Sequence, residues 1–133
     1  MHKVTLAGVA VSALLVSSLY AVQPQASIVK PVLTQALPDL QGKEVSIVTV
    51  EYPPGFVGAP HRHDSDTFVY VLEGSIIMQV AGGKQMTLHP GETFYESPTD
   101  VHSVGRNASN TERAKFLVFF VKNQGAPASR PPI

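Results

Sequence analysis

The chain predicts an all-β fold, an antiparallel sandwich or barrel built as a single domain. Three observations carry this. Val, Ile, Thr, Phe and Tyr dominate the central third, and these residue types suit a pleated, half-buried surface. Ten glycines and eleven prolines cut the chain into short runs, with turn signals at close intervals. No helical apolar period is sustained over a long window.

The chain has 133 residues, a length suited to one domain. Formal net charge is zero and no basic block is present, so nothing points to nucleic acid. The absence of cysteine excludes disulfides and thiolate metal sites. A soft-metal site would have to be built from histidine.

Residues 1–21 have the layout of a secretory signal: His2 and Lys3, an apolar run from Val4 to Val16, then small residues. Cleavage is expected after Ala21, with Ala26 as the second choice. An uncleaved anchor is the alternative, although the run is short for a membrane span. Either way the domain is expected outside the cytoplasm, secreted or periplasmic, with no stable span after cleavage.

Residues 22–39 read as a lead-in broken by Pro24, Pro31 and Pro38, with a short edge strand near Ile28 to Leu33. The barrel is assigned to residues 40–122. Lys43 to Tyr52 is its first strand and Pro53-Pro54-Gly55 stops it. Thr67 to Leu72 and Ser75 to Val80 follow, divided by Gly74. Ala81-Gly82-Gly83-Lys84 is a hairpin turn, since glycine supplies positive φ. Lys84 to Leu88, Glu92 to Glu96 and a strand beginning at Val101 come next. Arg113 to Lys122 closes the set with the block Phe116 to Val121. Residues 123–133 are a Pro/Gly/Ala/Ser tail, expected to be flexible or draped over the surface.

His61 and His63 sit one residue apart after a Pro/Gly-rich approach. In extended chain, residues two apart share a face, so both imidazoles can aim at one point, as a divalent metal requires. The incidental reading is a solvated turn, and a lone His-x-His pair would favour it. His89, beside Pro90 in a turn, reads as a surface residue.

The stretch from Gly55 to Gly74 resembles the first motif of the cupin family. Gly55 is followed by five residues, then His61-Arg62-His63, and the closing glycine falls at Gly74. The family's glutamate position is taken by Thr67. Gly91 and His102 have the eleven-position separation of the second motif, with its Pro-x-Gly degraded around Pro98 and Thr99. Arg106 stands where the family has asparagine, with Asn107 next to it. The resemblance implies a double-stranded β-helix (jelly-roll) barrel with a metal in its mouth. It implies His61, His63 and His102 as ligands. Three imidazoles suit Fe, Mn, Cu, Ni or Zn rather than Ca or Mg.

Three readings of Thr67 stand open: a genuine three-histidine centre, a carboxylate swung in from Asp64 or Asp66, or a decayed site. Alternation points Asp66 away from the Thr67 face. Glu96 is a further carboxylate and a candidate base, and the Thr67 hydroxyl could bond a bound water or substrate. Tyr70, Tyr95 and Arg106 are candidate substrate contacts; the bland alternatives are core packing and a solvated loop arginine. Phe116 to Val121 would serve as core and as a homodimer interface.

Two functions follow. One is a metal-dependent enzyme acting on a small molecule, a dioxygenase-type oxidoreductase, or in a non-redox version an isomerase or decarboxylase. The other is a non-catalytic module that binds a metal or small ligand for sensing, storage or scaffolding.

Overall fold

The computed structural model describes residues 25–133. The expected export signal, 1–21, lies outside the described residues. All regular structure described is β, in eight strands: β1 (Ile28–Ala36), β2 (Lys43–Tyr52), β3 (Asp66–Glu73), β4 (Ile76–Val80), β5 (Met86–Leu88), β6 (Thr93–Glu96), β7 (His102–Asn107) and β8 (Ala114–Asn123). They form a five-stranded sheet in the order β1-β2-β8-β3-β6 and a three-stranded sheet in the order β5-β4-β7. Every strand pairing is antiparallel. The architecture is the jelly-roll barrel that the motifs imply.

Alternation explains the core. On β8, Ala114, Phe116, Val118 and Phe120 are buried while the residues between them are half-buried. On β3, Thr67, Val69 and Val71 turn inward and Phe68, Tyr70 and Leu72 turn out. Val48 and Tyr52 of β2, with Ile76 and Met78 of β4, close the same core. Apolar side chains on alternate positions of facing strands therefore leave water together, the main favourable contribution to this fold.

Gly74 is one position where the backbone dictates the residue. Its φ is +68°, and a Cβ there would lie 2.5 Å from the Arg113 carbonyl oxygen. Only glycine lets β3 turn into β4 this close to β8.

One expectation is corrected, and another, a tail either flexible or draped over the surface, is narrowed to the draped one. The lead-in holds a nine-residue strand, β1, rather than a short one, and it pairs along β2 as the edge of the larger sheet. Pro31 is tolerated because it sits at an edge, beside a register shift, where its missing N–H breaks no ladder. The C-terminal tail is not a loose end. Arg130 and Arg62 exchange backbone hydrogen bonds of 3.0 and 2.8 Å, drawing the tail across the barrel mouth. Lys122, buried at the end of β8, pairs with Glu44 and donates to the Ala126 carbonyl at 2.7 Å, which starts the tail on that path. No helix among the described residues is long and apolar enough to cross a membrane.

Candidate metal centre

The three histidines meet because of backbone pairing. His61 and His102 form an isolated antiparallel bridge, with N–H to carbonyl distances of 3.1 and 2.7 Å in the two directions. His63 follows on the same face two residues later. Asp64, at φ 52°, then reverses the chain into β3. Asp tolerates this left-handed conformation better than most residues. Its carboxylate is held between Arg62 at 3.2 Å and Arg130 at 3.0 Å.

One donor atom from each of His61, His63 and His102 lies within 4.8 Å of the others. Two rings are fixed from behind. His61 Nδ1 donates to the Ala59 carbonyl at 2.9 Å, and His63 Nδ1 donates to the Ala128 carbonyl at 2.7 Å. A ring whose Nδ1–H is given to a carbonyl keeps the Nε2 lone pair free, the tautomer a metal needs. His102 Nδ1 lies 3.3 Å from His61 Nε2. Burial holds His63 below the ordinary histidine range, and a smaller contribution from His61 acts in the same direction. Burial, then His61 and His63, brings His102 down to about 4. Both rings are therefore neutral at neutral pH, as ligands must be.

Glu96 completes the cluster. It stands at the end of β6, in register with Thr67 of β3, and is 2% exposed. Its Oε2 lies 3.6 Å from His63 Nε2 and its Oε1 lies 3.6 Å from His102 Nδ1. Burial, with a smaller contribution from Asp100, raises its carboxyl to about 7. Glu96 Oε2 and His102 Nε2 are both buried without a hydrogen-bond partner. Buried polar atoms are nearly always satisfied, so the orphaned Glu96 oxygen beside the His63 and His102 imidazoles fits a site that could hold a cation. The donor set fits a divalent transition metal: His61, His63 and His102 would hold it, with Glu96 beside it. Imidazole donors disfavour Ca and Mg.

Other expected site residues fall elsewhere. The Thr67 hydroxyl is 3.0 Å from Ser65 Oγ inside the barrel wall, so it does not reach into the centre. Asp64 is held by its arginines, and Asp66 accepts the Tyr95 hydroxyl at 2.7 Å on the outer face. Neither supplies the missing carboxylate. Tyr70 and Tyr95 are exposed on the outside of β3 and β6, because alternation places them opposite Thr67 and Glu96. Arg106 is not among the cavity residues; Asn107 is the residue that turns in, its side-chain amide contacting the carbonyls of Tyr52, Pro53 and Glu112. His89 is exposed and bonds Ser75.

The histidines open onto a cavity of about 250 Å³. Tyr52 reaches it from β2, Ala128 and Ser129 wall it from the tail, and Val29 reaches it from β1. Gly105 makes room for the His102 ring: a Cβ there would lie 2.8 Å from His102 Cε1 and 3.2 Å from Tyr52 Oη. Sequence reading passed over Tyr52, although its parity with Val48 and Val50 along one strand was a usable signal. The tail residues carried no such signal.

A family model described as Cupin domain matches residues 48–120. No curated protein matches the chain. Among solved structures, the polyketide cyclase RemF from Streptomyces resistomycificus superposes with a TM-score of 0.60 at 20% identity, covering 80% of this chain and 71% of its own. A cupin domain from Bordetella pertussis gives 0.58 at 20% identity over 77% of this chain and 99% of the other. The DMSP lyase DddQ from Ruegeria pomeroyi gives 0.57 at 18% identity over 65% of this chain; the match spans only 42% of that lyase. At such identities the likeness concerns the fold.

Proposed function

Because the chain belongs to the cupin family, we propose that it is a metal-dependent oxidoreductase of the dioxygenase kind, acting on a small molecule. The observation that carries this reading is Glu96, a buried, unpartnered carboxylate 3.6 Å from two of three clustered imidazoles. A redox-active metal held by His61, His63 and His102 would polarise a substrate oxygen and give dioxygen a site to react. The chain's own groups do the rest. The Ala59 and Ala128 carbonyls keep two imidazoles oriented. Glu96, a buried carboxylate beside His63 and His102, can accept a proton from a substrate hydroxyl. The apolar walls lower the local dielectric, which strengthens each of these interactions. RemF and DddQ are named for cyclase and lyase reactions on small molecules, which accords with a small-molecule substrate.

An exported location, from residues 1–21, and homodimerisation through the outer face of β8 at Leu117, Phe119 and Val121 belong to the same proposal, as does the absence of a nucleic-acid partner. The test is oxygen uptake by metal-reconstituted protein across candidate substrates. Turnover should require metal and collapse in His61→Ala. Full turnover after chelation and dialysis would sink the reading.

The Thr67 hydroxyl, tied to Ser65 where the family places a carboxylate, favours a second reading, a non-catalytic binding module. Ligand binding that survives loss of all three histidines, without metal-stimulated turnover, would select it.

A further inference from the structure

We infer that the substrate is a molecule with an uncharged, apolar body and a single oxygen-bearing head. The inference rests on the metal-centre reading for the head and on the cavity alone for the body. Besides Tyr52, Val29 and the tail, the walls away from the histidines and Glu96 are Val48, Val50, Val69, Met78, Val118 and Phe120, contributed by four strands. Among the described residues no lysine, arginine, asparagine or glutamine lines the cavity.

This composition decides between ligand classes. A sugar or a hydroxy acid would bring several hydroxyls against valine, methionine and phenylalanine. Each would lose its water without gaining a partner. A phosphorylated or polycarboxylate ligand would bring charges beyond the metal-facing head that no guanidinium or ammonium on the lining meets. An aliphatic or aromatic body loses nothing on entering and leaves water favourably. The titratable imidazoles and carboxylate of the lining are gathered in one cluster of three histidines and Glu96, so the site is built around one head group. The size agrees. About 250 Å³ exceeds the roughly 150 Å³ of an apolar cavity that takes a benzene ring, so there is room for a body of about one ring. The hydroxyls of Tyr52, Ser27 and Ser129 are the remaining polar side-chain groups on the lining; that of Tyr52 lies on the His102 side, beside Gly105.

The test uses zinc-loaded protein, which binds without redox turnover, and three probes followed by calorimetric titration. Acetylacetone and benzoylacetone carry the same chelating head and differ in the body; tartrate carries chelating oxygens, charge and no apolar body. Benzoylacetone should bind at least about tenfold tighter than acetylacetone, tartrate should be weakest, and zinc content should be unchanged afterwards. The advantage of benzoylacetone should narrow in Val48→Ser, with acetylacetone titration showing that the variant is folded. Equal affinity for the two diketones, or tightest binding of tartrate, would overturn the inference. Equal benzoylacetone binding with and without zinc would overturn the metal-centre reading while upholding the apolar body.

Discussion

Thr67 and Glu96 face each other in register across β3 and β6, and both side chains are buried inside the barrel. The carboxylate that the first motif would place on β3 therefore stands on the neighbouring strand. The centre keeps an acid, delivered from the other side of a strand pair.

This relationship predicts a non-additive pair of substitutions. In Thr67→Glu, two carboxyl groups would occupy directly opposed positions, whose Cβ atoms are about 5 Å apart in an antiparallel pair. Without metal, that variant should lose about 2–4 kcal/mol in urea unfolding. Adding Glu96→Gln should recover a large part of the loss. Simple addition of the two single effects would show that the residues do not share one site.

The second prediction concerns pH in the metal-free protein. Burial raises Glu96 to about 7 from 4.5. Between those values the folded state binds more protons than the unfolded chain, so the Glu96 contribution makes stability fall as pH rises through the window. His102 acts in the opposite sense. Burial and its histidine neighbours lower it from 6.5 to about 4. Its contribution is present above its unfolded value and is lost as pH falls toward 4. The difference between wild type and Glu96→Gln isolates the carboxyl. From about pH 5 to about pH 8, wild type should lose roughly 2–3 kcal/mol relative to the variant. Parallel pH profiles would contradict the assignment.

The third prediction concerns the tail. The Ala128 carbonyl is the acceptor that fixes the His63 ring, and the Arg62–Arg130 bridge holds that carbonyl in place. Deleting residues 125–133 should weaken metal binding by about 10–100-fold. Ala128→Gly keeps the carbonyl and should bind nearly as wild type. Arg130→Ala should have a small effect, because its ion pair with Asp64 is exposed. Unchanged affinity in the truncated protein, measured by competition with a chromogenic chelator, would remove the tail from the site.

The His61–His63 pair was legible in the sequence because residues two apart share a face, whereas His102 was legible only through the resemblance of Gly91 to His102 to the second cupin motif. The barrel was legible for a similar reason, since turn residues and alternation are written strand by strand. What was not legible depends on which strands pair and in what register. Glu96 could be named as a carboxylate, but only its pairing with Thr67 aims it at His63 and His102. Tyr70 and Tyr95 looked like pocket residues until the parity of Thr67 and Glu96 turned them outward. Asn107 rather than Arg106 turns in, on a strand whose pairing with β4 shifts register between Gln79 and Val80. The tail carries its message through a backbone carbonyl, which composition cannot display.

The most direct test of the account is the metal content of purified protein after equilibration with Fe(II), Mn(II), Cu(II), Ni(II) or Zn(II) and removal of excess. The account predicts a single tightly held transition-metal ion per chain in wild type, with the ion lost in His61→Ala, His63→Ala and His102→Ala variants that remain folded. Wild-type protein that retains no metal, or histidine variants that retain it as well as wild type, would contradict the assignment of this cluster as a metal centre.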